Sequence, residues 1–265
     1  MTHFIKNKEE INKIRIASHL ASEVLEMIAP YVKPGITTSD LDLICHNYIV
    51  NKQQAISGCL GYQGFPKSVC ISVNDVVCHG IPTNKVILIN GDILNIDVAV
   101  IKNGYYGDTS KMFIVGNTTI QGKALCQVAQ ESLYLAIGLV KPGIRLHLLG
   151  RKIQKYVESH NFSIVKEYCG HGIGKKFHED PQILHYEADD HGIILQPGMT
   201  FTIEPMVNAG DHHVVTMKDG WTVKTKDRSL SAQYEHTITV TETGCEILTI
   251  RKEEVIPSII IHPEY

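Results

Sequence analysis

Apolar positions along the chain switch between two spacings. Ile11, Ile14, Ile16, Leu20, Val24, Leu25 and Ile28 recur at helical spacing and predict an amphipathic helix over residues 8 to 30. Pro34 and Gly35, in Val32-Lys33-Pro34-Gly35-Ile36, are expected to stop it. Thr37-Thr38-Ser39-Asp40 then opens a second helix carrying Leu41, Leu43, Ile44, Tyr48 and Ile49. A glycine-rich loop follows over residues 58 to 64, then a short strand over 68 to 73 and a loop ending His79-Gly80-Ile81-Pro82. From Gly91 the spacing is that of a strand. A run rich in Ile and Val reaches Asn103-Gly104 and a Tyr-rich segment leaves it. That dipeptide predicts a two-residue hairpin, because both central residues of a type I′ turn need positive φ.

The turn fixes a register. Lys102 faces Tyr105, Ala99 faces Asp108, and Asp97 shares a face with Ala99 because strand side chains alternate. Asp97 and Asp108 become diagonal neighbours about 7 Å apart. Two carboxylates aimed at one place need a proton or a cation between them. One Asp solvating a strand end is the alternative, and the hairpin alone leaves both open.

The order of elements then recurs. A helical pattern over residues 120 to 139 ends at Val140-Lys141-Pro142-Gly143-Ile144, the V-K-P-G-I of residues 32–36 displaced by 108 positions. A helix over 146 to 159 follows, then the glycine-rich Cys169-Gly170-His171-Gly172-Ile173-Gly174. The strand Gly198-Met199-Thr200-Phe201-Thr202-Ile203-Glu204 parallels Gly91-Asp92-Ile93-Leu94-Asn95-Ile96-Asp97 at an offset of 107. A last β segment over 234 to 249 carries Glu235 near its start. We read one α/β domain over residues 1–265, built from two pseudo-symmetric halves of about 10–115 and 118–250, with helices on the outer side of a sheet. Superposed, the halves set Asp97 against Glu204 and Asp108 against Glu235. Four converging carboxylates repel unless neutralised, at a cost of several kcal/mol per contact, and two divalent cations are the simplest remedy. His171, among glycines, is the candidate fifth ligand. An oxygen-rich set suits Mn²⁺, Fe²⁺ or Co²⁺ better than structural Zn²⁺.

Composition narrows the field. The chain has 265 residues, 43% of them hydrophobic and 20% charged, with a net charge of −3, which gives no electrostatic case for nucleic acid or an anionic membrane. The N-terminal residues show no secretory pattern, and no apolar run reaches membrane-span length. Seven scattered cysteines without C-x-x-C read as free thiols of a reducing cytoplasm. The stretch Gly170 to Lys176 lacks the register of a phosphate loop, and no G-x-S-x-G supports a serine hydrolase. His212 and His213 read as exposed, and His3, His19, His46, His147, His160, His185, His191 and His262 as structural or solvated. His236, next to Glu235 on a strand, points to the opposite face.

H-G-I-P at 79–82, D-V at 97–98, G-D-T-S at 107–110, G-H-G-I-G at 170–174, F-H-E-D-P at 177–181, T-I-E-P at 202–205 and Q-Y-E-H-T at 233–237 resemble the type I methionine aminopeptidases in their short, bacterial-style form. The resemblance covers nearly the whole chain and implies the pseudo-two-fold pita-bread fold, an antiparallel sheet with a dimetal site on its inner face. It implies that Asp97, Asp108 and Glu235 bind one divalent ion and Asp108, His171, Glu204 and Glu235 the other, with Asp108 and Glu235 bridging. Water activated there would attack the scissile carbonyl, with His79, His178 and Glu204 as catalytic residues and both histidines also touching substrate. Cys59, Tyr62, Phe65, Cys70, Phe177 and Trp221 match the family's methionine side-chain pocket, and Asn74, Val76 and Ser231 a site for Na⁺ or K⁺. The implied substrates are N-termini of nascent polypeptides at the ribosome, cleaved when the second residue is small, by a cytoplasmic monomer. Two competing readings are an X-Pro aminopeptidase or prolidase of the same fold, which usually carries an extra N-terminal domain, and a non-catalytic binding module, which should have lost ligands.

Overall fold

The computed structural model describes residues 5–189 and 192–257. His3, His191 and His262 lie outside them. Among the described residues there are four α-helices, α1 Lys8–Ile28, α2 Thr38–Asn47, α3 Ile120–Ile137 and α4 His147–Ser159. The first-half strands are β1 Ile56–Ser57, β2 Cys70–Val73, β3 Val76–Cys78, β4 Ile93–Lys102 and β5 Tyr105–Ile114. The second half contributes β6 Ser163–Ile164, β7 Gly170–Gly172, β8 Glu179–Ile183, β9 Thr200–Ile203, β10 Met206–Asn208, β11 Val214–Thr216, β12 Val223–Thr225, β13 Ser231–Gln233, β14 Glu235–Val240 and β15 Cys245–Ile247.

The β4–β5 hairpin takes the register its turn dictates. Lys102 pairs Tyr105 and Ala99 pairs Asp108, and Asn103 and Gly104 have φ of 53° and 76°. One nine-stranded sheet runs β1-β4-β5-β14-β9-β7-β8, with β2 also on β4 and β15 also on β14. Its centre is β4-β5-β14-β9, so the hairpin of the first half lies edge to edge with the last strands of the second. Each half has its own core. Ala21, Leu25 and Ile28 of α1 pack on Ile96, Val98 and Val100 of β4, while Leu133 and Ile137 of α3 meet Ile153 of α4, Phe201 and Ile238.

Several expectations are corrected. α1 stops at Ile28 rather than at Pro34-Gly35, because Pro30 cannot continue the helical hydrogen bonds and a 3₁₀ turn, Ala29–Tyr31, takes over. Thr37 does open α2, through a reciprocal capping box with Asp40. The loop expected before His79 contains β3, and the segment after Glu204 contains four further strands before β14. The expected single β segment over 234 to 249 is the hairpin of β14 and β15. Gly170 to Gly172, within the glycine-rich stretch, is strand β7, wedged between β9 and β8. A Cβ on Gly170 would come within 2.4 Å of the Thr202 carbonyl oxygen, and one on Gly172 within 2.2 Å of that of Asp180. These glycines allow close strand packing rather than a turn.

Candidate metal centre

Strand alternation aims the acids. Asp97 and Asp108 leave the same face of the β4–β5 hairpin, Glu235 opens β14, and Glu204 directly follows β9. Because β14 pairs both β5 and β9, the four carboxyls meet where the halves join. Asp108 and Glu235 are almost fully buried, with 4% and 2% exposure. His171 enters from β7, its Nε2 3.5 Å from Asp108 Oδ2 and 3.6 Å from Glu204 Oε1. Its Nδ1 lies 3.0 Å from the Gly172 carbonyl. A carbonyl only accepts, so Nδ1 carries the hydrogen and Nε2 presents its lone pair to the acids.

The electrostatics follow from burial of the acids. Burial, reinforced by the charge of Asp108, lifts the carboxyls of Asp97, Glu204 and Glu235 well above the usual carboxylate range. Burial lifts Asp108 itself to about 7, although hydrogen bonds from its neighbours oppose the rise. Burial pushes His171 down to about 4, so its imidazole is neutral at neutral pH and cannot offset the acids. Asp108 Oδ1 and Glu235 Oε1 are buried without a hydrogen-bond partner, an arrangement costly unless a further group satisfies it. Ligand atoms of Asp108, His171 and Glu235 lie within 4.8 Å of one another. Orphaned oxygens, raised carboxyls and a free imidazole lone pair fit divalent cations. The other Asp/His cluster, Asp211, His212 and His213, differs in kind, since Asp211 and His213 are exposed and bonded to each other at 2.8 Å.

Glu204 is held more firmly than the other acids. Thr202 Oγ1 donates to its Oε1 at 2.8 Å, Gln233 Nε2 to its Oε2 at 3.2 Å, and its own backbone N–H donates to His185 Nε2 at 3.1 Å. His185, expected to be structural or solvated, thus supports Glu204, as do Thr202 and Gln233, for which the sequence predicts no role. Local spacing carries no signal for these contacts; only the presence of Gln233 in Q-Y-E-H-T hinted at one.

Beside the acids is an apolar cluster. Cys59, Phe65, Cys70 and Phe177 are buried in one cluster with Ala99, and Tyr62, Trp221, Tyr106 and Ile81 pack against it. All six residues predicted for a side-chain pocket are brought together there, and Ala99, Tyr106 and Ile81 are additions. At its rim, His178 stacks on Phe177 and its ring lies 4.2 Å from that of His171. Tyr62 Oη is 2.6 Å from His178 Nδ1 and also accepts a hydrogen bond from Gln63 at 3.3 Å. Its own hydrogen is thus free to donate to Nδ1, which leaves Nε2–H of His178 as a donor. Partial burial and the neighbouring His171 and His79 push His178 down to about 3 despite its exposed edge. His79, at φ 54°, packs edge-on against Tyr168 and Trp221 and is also pushed down by burial. His236 faces away from the acids and meets Tyr134 of α3. Asn74 and Ser231 adjoin, with Ser231 N donating to the Asn74 carbonyl at 2.8 Å, and Val76 opens β3 two residues on.

The profile of Metallopeptidase family M24 matches residues 12–242. The chain belongs to metallopeptidase family M24. A curated methionine aminopeptidase of Salmonella typhimurium is 69% identical over 260 residues, which are 98% of each chain. The crystal structure of methionine aminopeptidase from Rickettsia prowazekii superposes with a TM-score of 0.90 at 51% identity, covering 93% of this chain and 99% of that one. A prolidase from Pyrococcus furiosus gives a TM-score of 0.75 at 21% identity, covering 94% of this chain and 66% of that one, and shows the shared pita-bread fold alone. The M24 chain is therefore a metallopeptidase, a hydrolase that works with divalent metal, and within the family it groups with the methionine aminopeptidases. Among the described residues no helix of this M24 protein is long and apolar enough to cross a membrane.

Proposed function

We propose that the M24 centre removes the N-terminal methionine of polypeptides whose second residue is small. The observation that carries this reading is the set of buried, partly orphaned carboxylates beside a cluster of thiols and aromatics. Such a lining suits a thioether, because sulfur is polarisable and makes favourable contacts with aromatic edges. Asp97, Asp108 and Glu235 would hold one divalent ion, and Asp108, His171, Glu204 and Glu235 the other, with Co²⁺, Fe²⁺ or Mn²⁺ suiting this oxygen-rich set. Such ions supply Lewis acidity and lower the pKa of a bound water.

The chain's own groups do the rest. The methionine side chain enters between Cys59, Cys70, Phe65, Phe177, Tyr62 and Trp221, which places its peptide bond beside the acids. Glu204, with both oxygens fixed by Thr202 and Gln233, accepts the proton of the attacking water. His178, oriented by Tyr62, donates its Nε2–H to the developing oxyanion. His79 orients the substrate and assists proton transfer. We further assign the whole chain to one catalytic domain, acting as a cytoplasmic monomer on nascent chains at the ribosome. Asn74, Val76 and Ser231 are assigned to Na⁺ or K⁺.

The test is cleavage of Met-Gly-Met against X-Pro peptides, with and without a chelator. Chelator-sensitive release of Met from the first supports the reading; X-Pro cleavage alone, or neither, rejects it. Replacing His178 with alanine should lower turnover by roughly 10²–10³, the usual cost of one oxyanion donor, while metal content stays at the wild-type value. A fully active His178→Ala enzyme would remove His178 from this role.

A further inference from the structure

The strand seam that brings the acids together is short. β5 and β14 share two residue pairs, Glu235 with Ser110 and His236 with Thr109, whereas β4 and β5 share ten. The spacing of Asp108 and Glu235 depends on this seam, and few backbone bonds hold it.

Side chains stitch it instead, Thr109 from the outer face that it shares with His236, and Thr237 from the inner face that it shares with Glu235. Thr109 Oγ1 donates across the seam to the Glu235 carbonyl, and Thr237 Oγ1 donates back to the Asp108 carbonyl, each at 2.7 Å. Behind Thr109 lies a turn of the C-terminal segment. Arg251 Nη1 donates to Thr109 Oγ1 at 3.1 Å, which commits the hydroxyl hydrogen to Glu235. Arg251 Nη2 pairs with Glu254 Oε2 at 2.6 Å, and Glu254 Oε1 lies 3.2 Å from His236 Nε2. Thr249 Oγ1 bonds His236 Nδ1 at 2.9 Å and accepts from Thr237 N at 3.1 Å. Arg251 is 3% exposed, and Thr109, His236 and Thr249 are fully buried. A buried ion pair is a poor source of stability, because desolvation offsets the attraction and apolar packing would serve as well. This one touches both residues that adjoin the bridging acids, Thr109 beside Asp108 and His236 beside Glu235.

We propose that Arg251 and Glu254 are positioning residues, a clasp on the outer face that sets the separation of Asp108 and Glu235 and hence the affinity of the centre for its divalent ions. The clasp rests on the reading of those two acids as shared ligands. It touches neither the apolar cluster nor His178, so its loss should act on metal and not on peptide.

The experiment uses the full chain, stripped of metal and titrated with Mn²⁺ by calorimetry. Arg251→Lys, Glu254→Gln and the near-isosteric Thr109→Val are compared with Ile153→Val, a core change in α4 away from the seam. Arg251→Lys and Thr109→Val should each weaken Mn²⁺ binding tenfold or more, with KM for Met-Gly-Met at saturating Mn²⁺ within twofold of wild type. Ile153→Val should lower the melting temperature and leave the isotherm unchanged. Isotherms of the clasp variants that overlay the wild type would overturn the proposal, as would an equal loss of affinity in Ile153→Val. A failure of the ligand assignment shows separately, as normal Mn²⁺ binding by Asp108→Ala.

Discussion

Asp108→Ala should abolish turnover, by more than the roughly 10³ attached to a single catalytic donor, and should remove both divalent ions together. Asp108 is the acid that the other three sense, adding to the upward shift of Asp97, Glu204 and Glu235. It lies within reach of His171 on one side and of Asp97 and Glu235 on the other. Its Oδ1 is buried without a partner. A structural acid so placed would lower stability when deleted. A ligand predicts the reverse for the metal-free chain, since the charge of Asp108 helps to hold the other three carboxyls above their usual range and deleting it removes that repulsion. Metal-free Asp108→Ala should therefore melt no lower than metal-free wild type at pH 8, while losing the stabilisation that added Mn²⁺ gives the wild type. An active variant with full metal content would end the assignment.

Chelation should cost both activity and stability, and the stability cost should grow with pH. The sign follows from linkage. The folded, metal-free chain holds protons on Asp108, whose pKa is about 7, and on Asp97, Glu204 and Glu235, which lie well above the usual range. Unfolded, these groups ionise near pH 4. Their contribution is complete below that pH and is lost as pH rises through the folded values, by up to about 1.4 kcal/mol per pH unit for each carboxyl still protonated. His171, His178 and His185, all pushed down by desolvation, act in the opposite sense but only below about pH 6.5. The window to use is thus pH 6.5 to 8.5. Denaturation midpoints of metal-free enzyme should fall across it, and the gap to the Mn²⁺-loaded enzyme should widen as protons cease to compete for the ligands. A gap of constant width would contradict the acidic centre.

Much of this was legible in the chain because it rests on local rules. Asn103-Gly104 sets the hairpin register residue by residue, and with it the shared face of Asp97 and Asp108. The repeat then locates Glu204, since each half folds through the same order of elements. Glu235 is harder to place. Asp97 and Asp108 are 11 positions apart, but Glu204 and Glu235 are 31 apart, because β10 to β13 are inserted between them. That insertion also brings Trp221 to the apolar cluster. Illegible features are those set by distant chain. Gly170 and Gly172 are only part of a glycine-rich stretch until β8 and β9 close on either side. His185 looks structural until Glu204 N–H is seen to need it. Arg251 and Glu254 carry no signal in the sequence, and only the folded sheet shows their side chains buried behind Thr109 and His236.

The insertion is not the sole departure from symmetry. At matched places on the sheet the first half carries aspartates, Asp97 and Asp108, and the second carries glutamates, Glu204 and Glu235. Each glutamate is one methylene longer, and only the second half adds an imidazole, His171. The two sides of the centre differ in reach and donor chemistry, so the two cation positions proposed for it should form a graded pair. Successive Mn²⁺ equivalents should enter at separate concentrations, the first on the imidazole side.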